Sequence, residues 1–323
     1  MSLGERVTPT RLAFVGCGAM GAPIAERLID AGHSLRVYDP DPQAAAALVE
    51  RGAVAARSPR DAAMDCEIAF ACLPSPEVSR SVALDPDGIA GCEGLKVYVE
   101  MSTIGSRTVK DIAAGLGKSG IAVLDAPVSG GPRGARAGTM STMVAGERAV
   151  FDRVKPLFET IARSVHYVGE TPGLGQVTKL ANNMISAAGM AAAFEASAMA
   201  VKAGVDARVL IETVNASTGR NSATMDKFPA SVLTRSFDYG GKLSIMYKDV
   251  FLCLEEARQL DVPMWVGSNV VQLWFHAMTQ GRGDDDFTSL IKMIEDWAGV
   301  VVGGNESGPV AAESRTKENS SGP

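Results

Sequence analysis

The segment Lys179-Leu180-Ala181-Asn182-Asn183 places a cation next to two amides. On a helix, Lys179 and Asn183 stand at i and i+4 and share one face. An ammonium with an amide beside it can donate to a substrate oxygen and take its proton. A lone helical lysine is also the ordinary solvated surface charge, but the asparagine pair makes a polar face that a plain surface helix does not need. A second group is Asp125-Ala126-Pro127-Val128-Ser129-Gly130-Gly131. Ser129 offers a hydroxyl, and Gly130 and Gly131 leave backbone N–H groups uncovered. Convergent donors of this kind suit a carboxylate, although the segment alone also reads as a simple loop.

A third group is Gly16-Cys17-Gly18-Ala19-Met20-Gly21, which follows an apolar run at 12–15 and opens a helical stretch. This is G-x-G-x-x-G between a strand and a helix. Gly16 is expected to make the tight turn, Gly18 to let a pyrophosphate approach the backbone, and Gly21 to let the helix pack closely on the sheet. The helix N-terminus offers unpaired N–H groups and the positive end of its dipole. The following strand ends at Asp39, placed to accept from ribose hydroxyls. Its carboxylate would repel a 2′-phosphate, and neither Pro40 nor Asp41 supplies a cation, so NAD is favoured over NADP. The competing reading of Asp39 is a helix N-cap or turn residue before Pro40.

These groups need a frame to hold them. Strands are predicted at 12–15, 35–38, 68–73, 97–101, 121–124, 142–144 and 165–168. Helices are predicted at 19–31, 41–51, 77–82, 107–117 and 147–161, the first two stopped by Gly32 and Gly52. Such alternation implies an α/β, Rossmann-type, doubly wound parallel sheet. After Gly169 the texture changes. The turn-rich Thr171-Pro172-Gly173-Leu174-Gly175 leads into an almost wholly helical region. Its first helix, predicted over 176–203, would be about 42 Å long at 1.5 Å per residue. The expected organisation is a dinucleotide domain at 11–172, an all-α substrate and oligomerisation domain at 173–302, and a disordered Gly-, Ser- and Glu-rich tail at 303–323.

Composition narrows the class. The chain has 323 residues, 46% of them hydrophobic and 21% charged, with a formal net charge of -6. That excess of acid argues against nucleic acid or an anionic membrane as partner. The five cysteines have irregular spacing and the three histidines, His33, His166 and His276, are far apart, so no metal site is expected. The alanine-rich stretch at 185–203 contains Glu195 and Lys202 and reads as a buried helix, not a membrane span. The N-terminus has no apolar signal core, and the expected location is the cytoplasm. A long apolar helix also predicts a homodimer or homotetramer.

The motifs together resemble the β-hydroxyacid dehydrogenase family, typified by 3-hydroxyisobutyrate dehydrogenase and tartronate semialdehyde reductase. In order along the chain they are VGCGAMGAPIA at 15–25, CLP at 72–74, MSTIGS at 101–106, DAPVSGG at 125–131, GQVTKLANN at 175–183 and YKD at 247–249. The resemblance implies that Lys179 is the catalytic lysine and Asn183 the amide assisting it. It implies that Ser129, Gly130 and Gly131 cradle the substrate carboxylate. Leu73, Pro74 and Val78 would contact the adenosine side of the cofactor, and Thr103 and Lys248 would line its reacting end. Two departures stand out. Cys17 replaces the usual leucine or isoleucine, and Asp284-Asp285-Asp286 is unusually acidic, as a solvated cap before Phe287 would be. Arg220 falls in a variable stretch and is a candidate for a second polar or anionic group on the substrate, or else a surface arginine.

The expected reaction is hydride transfer between a small β-hydroxy acid and NAD, with Lys179 taking or returning the hydroxyl proton. The alternative within the family is reduction of tartronate semialdehyde or another short semialdehyde. A non-catalytic NAD-binding protein would need the glycine motif but not Lys179, Asn183 or the serine–glycine turn. A decarboxylating 6-phosphogluconate dehydrogenase would need a longer helical region, and an imine reductase tends to lack the lysine and to use NADP.

Overall fold

The computed structural model describes residues 10–304 and 308–309. The first half lays down β1 (Arg11–Val15), α1 (Gly21–Asp30), β2 (Ser34–Tyr38), α2 (Pro42–Glu50), β3 (Val54–Ala55), α3 (Pro59–Ala63), β4 (Ile68–Ala71) and α4 (Pro76–Leu84). It continues with β5 (Val97–Glu100), α5 (Ser106–Gly117), β6 (Ala122–Asp125), β7 (Val128–Ser129), α6 (Gly131–Ala137), β8 (Ser141–Ala145), α7 (Arg148–Ile161) and β9 (Ser164–Gly169). Among the described residues these nine strands form one sheet in the order β3-β2-β1-β4-β5-β6-β8-β7, with β9 beside β8. The 3-2-1-4-5-6 run is the doubly wound dinucleotide-binding order. Strands β1, β4 and β5 are buried nearly throughout, as strands covered by helices on both faces must be.

The sheet is parallel from β3 to β6, but β8 runs antiparallel to both β6 and β7. The doubly wound parallel sheet expected from the sequence is thus present as a mostly parallel sheet, with β8 reversed against β6 and β7. The link between β7 and β8 holds only the short α6, less than the dozen or so residues a parallel crossover requires. Apolar side chains cover both faces, with Phe14, Phe70 and Phe158 in one layer and Tyr98, Ile104 and Ile112 in the other.

The rest of the chain is helical: α8 (Leu174–Lys202), α9 (Ala207–Asn215), a π-helix (Ala223–Val232), α10 (Leu243–Gln259), α11 (Trp265–Thr279) and α12 (Ile291–Ala298). A short antiparallel pair, β10 (Val300–Val301) with β11 (Gly308–Pro309), follows. The tail expected at 303–323 lies mostly outside the described residues. The compact units are Met1–Ala181 and Asn182–Pro323, so the division falls within α8. By length and composition α8 could cross a membrane. Its residues Leu180, Met184, Ala187, Met190, Phe194, Ala198 and Val201 nevertheless form a buried stripe at helical spacing.

Candidate active site

The glycine motif occupies the β1–α1 turn. Gly16 has φ +91°, and a Cβ there would lie 2.2 Å from the carbonyl oxygen of Cys72. Gly21 is packed against Gly16 itself, since a Cβ would fall 1.8 Å from the Gly16 carbonyl. Gly18 differs from both, because a Cβ there would meet nothing within 4 Å. Gly18 and Ala19 are exposed, and Met20 is half-buried. Helix α1 starts with no side-chain cap and no acidic residue in its first turn, whereas α2, α3 and α4 are capped by Asp41, Ser58 and Ser75. An open glycine ahead of an uncapped helix end fits a pyrophosphate, which would supply the missing acceptors.

Asp39 sits beside this turn at the end of β2. One oxygen accepts from the N–H of Cys17 at 2.7 Å and the other from the N–H of Asp41 at 3.0 Å. The N-cap of α2 is Asp41, not Asp39. The Cys17 side chain is buried, and burial together with the Asp39 charge pushes its thiol up to about 12. Leu73 is also drawn to the turn, with its side chain against Gly16. Its N–H donates to the Ser102 hydroxyl at 2.7 Å. Pro74 and Val78 are exposed on the adjoining turn and the start of α4.

Behind Ser102 lies Glu100, fully buried at the end of β5. Its carboxyl accepts from the Tyr98 hydroxyl and from the N–H of Ser102, both at 2.9 Å. Burial raises it to about 7 despite these bonds.

The lysine helix is fixed by a second buried group. Asp125, at the end of β6, accepts from the N–H groups of Gly173 and Gln176 at 2.9 and 3.0 Å. A residue from a distant strand thus supplies the N-cap of α8. Gln176 donates from Nε2 to Asp125 at 2.7 Å and to the Ser102 carbonyl at 3.0 Å. Its Oε1 accepts from the N–H groups of Ile104 and Gly105 at 2.8 and 3.1 Å. Both hydrogens and both lone pairs of the amide are used. Gly175 permits the contact, since a Cβ would lie 2.6 Å from the Met143 carbonyl. Burial raises Asp125 to about 6. Asp125 and Gln176 carry no assignment from the sequence motifs, and their only signal there is a polar type inside otherwise apolar or turn segments.

This clamp brings three predicted groups to one end of the sheet. Thr103, half-buried, lies in the turn held by Gln176. Ser129, Gly130 and Gly131 follow Asp125, and the two glycines have φ +133° and +62°, backbone that side chains resist. Lys179 is 8% exposed, one turn along α8 from Gln176. One further turn along the same helix is Asn183, also buried.

In the second unit, Asn183 donates from Nδ2 to Asp249 at 2.6 Å and accepts from Asn182 at 3.0 Å. The carboxylate can only accept, which fixes the orientation of the Asn183 amide. Lys248 pairs with the other oxygen of Asp249 at 2.8 Å. Asp249, absent from the sequence-based assignments, thus joins two residues that were in them. Arg220 is exposed. The acidic run is structural: Asp284 pairs with Lys242, Asp285 with Arg282, and Asp286 caps the 3-10 turn at Phe287–Leu290. Among the described residues no cluster of three or more His, Cys, Asp and Glu is placed to hold a metal ion.

Residues 11–169 match the family described as the NAD binding domain of 6-phosphogluconate dehydrogenase. Residues 173–294 match that described as NAD-binding of NADP-dependent 3-hydroxyisobutyrate dehydrogenase. The chain is 36% identical over 299 residues to the NAD-dependent L-serine dehydrogenase of Pseudomonas aeruginosa, covering 90% of this chain and 99% of that protein. It is 31% identical over 297 residues to the 2-(hydroxymethyl)glutarate dehydrogenase of Eubacterium barkeri, covering 92% and 98%. A solved structure of Mycobacterium tuberculosis 3-hydroxyisobutyrate dehydrogenase with L-serine superposes with a TM-score of 0.82 at 30% identity, covering 89% of this chain and 99% of that one. With both family models matched and relatives aligned over nearly their whole length, the chain belongs to the β-hydroxyacid dehydrogenase family and is an NAD(P)-dependent oxidoreductase of the 3-hydroxyacid type.

Proposed function

We propose that the protein oxidises a small β-hydroxy acid with NAD, and that Lys179 is the acid–base residue. The observation that carries this reading is the Asp125–Gln176 clamp, which fixes the lysine helix to the strand end leading into Ser129, Gly130 and Gly131. The serine hydroxyl and the glycine N–H groups would hold the carboxylate, so that the hydroxyl carbon is presented in one orientation. Lys179 would take the hydroxyl proton in oxidation and return it in reduction. The bound nicotinamide supplies the hydride acceptor. Asn183, held by Asp249, would steady the same oxygen. Lys248 and Thr103 would line the reacting end of the cofactor, and Leu73, Pro74 and Val78 its adenosine side.

Asp39 supports NAD over NADP, because a carboxylate at the strand end repels a 2′-phosphate. The relative named as NAD-dependent acts on L-serine, itself a small acid with a β-hydroxyl. Reduction of a short semialdehyde would use the same groups in reverse. Exposed apolar residues of the second unit, among them Ile185, Trp265 and Val266, support a homodimer or homotetramer; a monomer by light scattering would contradict the assembly.

The test is NAD reduction across a panel of β-hydroxy acids, followed by Lys179→Ala. Turnover should fall about 10²–10⁴-fold while NAD binding persists. Retention of more than about a tenth of kcat would move the acid–base role elsewhere.

A further inference from the structure

The second unit buries a cation that the acid–base reading does not use. Lys227 is 6% exposed and lies in the π-helix. In that geometry residues five apart stack on one another. Its Nζ accordingly reaches the Ser222 hydroxyl at 3.1 Å and the Ser222 carbonyl at 3.5 Å. The Tyr239 ring lies 5.6 Å away. These partners are neutral, and among the described residues Lys227 makes no ion pair with a carboxylate. Burial lowers its pKa, with the neighbouring Asp226 opposing that. An ammonium held out of water with no carboxylate in direct contact is costly, and an arriving anion would offset the cost.

The position of this group matters as much as its charge. The Ser222 hydroxyl is 3.4 Å from that of Ser186. Ser186 is three residues beyond Asn183 on α8, on the stripe that carries Lys179 and Asn183. The rise between Asn183 and Ser186 is about 4.5 Å. Asn221 ties the same segment to α8 through the Gly189 carbonyl at 3.4 Å. The π-turn is itself built to last. Pro229 has no N–H for the carbonyl of Thr224, five residues earlier, and Asn215 supplies the missing donor at 2.9 Å.

We propose that Lys227, with Ser222, is the subsite for a second carboxylate on the substrate, a few carbons from the reacting hydroxyl. The substrate class is then a β-hydroxy diacid. The proposal rests on Lys179 and Asn183 marking the reacting end. It moves to buried Lys227 the role that sequence offered to Arg220, which is exposed.

The test compares 2-(hydroxymethyl)glutarate with 2-(hydroxymethyl)pentanoate, in which a methyl group replaces the second carboxylate. The wild-type kcat/KM should favour the diacid about 10- to 100-fold, as expected for one charge-assisted hydrogen bond. Lys227→Met should erase that ratio and Lys227→Arg should keep most of it. A wild-type enzyme without preference, or a ratio unmoved by Lys227→Met, overturns the subsite and leaves the acid–base reading standing. Oxidation of neither acid, by an enzyme that oxidises other β-hydroxy acids of the panel, overturns the subsite alone; the acid–base reading falls only with the Lys179→Ala result. Should Lys227→Met fail to fold, glutarate and butyrate are compared as inhibitors of the wild type, and equal inhibition overturns the subsite.

Discussion

Gln176 donates to Asp125 at 2.7 Å across 51 positions of sequence, and the same amide serves the backbone of Ser102, Ile104 and Gly105. One side chain therefore closes the ends of β5 and β6 onto the first turn of α8. The geometry of the lysine helix depends on it, although Gln176 itself takes no part in proton transfer.

Gln176→Leu should consequently lower stability by at least about 1–3 kcal/mol, because buried N–H groups and Asp125 lose their partner. It should also reduce kcat, because Lys179 loses its anchor. Denaturant unfolding within about 0.5 kcal/mol of wild type would show that the junction is dispensable.

The two buried carboxyls give stability an unusual pH dependence. Glu100 is raised from 4.5 to about 7, and Asp125 from 3.8 to about 6. Between each pair of values the folded state holds a proton that the unfolded chain has lost. Their contribution is therefore full below about pH 4 and falls as pH rises towards 7. Glu100→Gln should flatten the upper part of that decline in a series of thermal melts. An unchanged slope between pH 5 and 7 would mean that Glu100 is already ionised in the fold.

The three motif glycines should separate by phenotype. Gly21→Ala would drive a Cβ to 1.8 Å from a backbone carbonyl, and Gly16→Ala to 2.2 Å. Both should lose several kcal/mol or fail to fold. Gly18→Ala meets open space, so its melting temperature should stay near wild type while NAD affinity drops. Calorimetry and a nucleotide titration on the three proteins would decide it; loss of stability in Gly18→Ala would contradict the assignment.

Asp249 should matter through Asn183. Asp249→Ala frees the Asn183 amide and should lower kcat/KM by about tenfold, the scale of one lost bond to a charged group. Since both residues act in one unit, the double variant with Asn183→Ala should be no worse than the more damaging single variant. Additive losses would place Asp249 in an independent role.

Much of the fold was readable because its signals are local. Apolar strands next to glycine-stopped helices mark the units from β1 to β6, and the glycine motif declares its own turn. Helix α6 escaped because Gly131, Pro132, Gly134 and Gly138 read as loop. The antiparallel β8 escaped because strand direction depends on a pairing that no local pattern encodes. The residues proposed to face ligands, Lys179, Ser129 and Asp39, stood out through motif context. Their supports did not: Asp125 meets Gln176, and Asn183 meets Asp249, only after the chain has folded. Lys227 carries no signal in the sequence, and only its burial in the fold sets it apart.

Cys17 has a consequence for the chemistry of handling. It places a sulfur inside the glycine-motif turn between β1 and α1, where an alkylating or oxidising agent would do most harm. Burial and the Asp39 charge push its thiol up to about 12 and its side chain is covered, so at neutral pH little thiolate is available to react. The turn therefore carries a nucleophile that is chemically silent while the fold is intact. Iodoacetamide labelling of Cys17 would report unfolding of the dinucleotide unit and not exposure of its binding site.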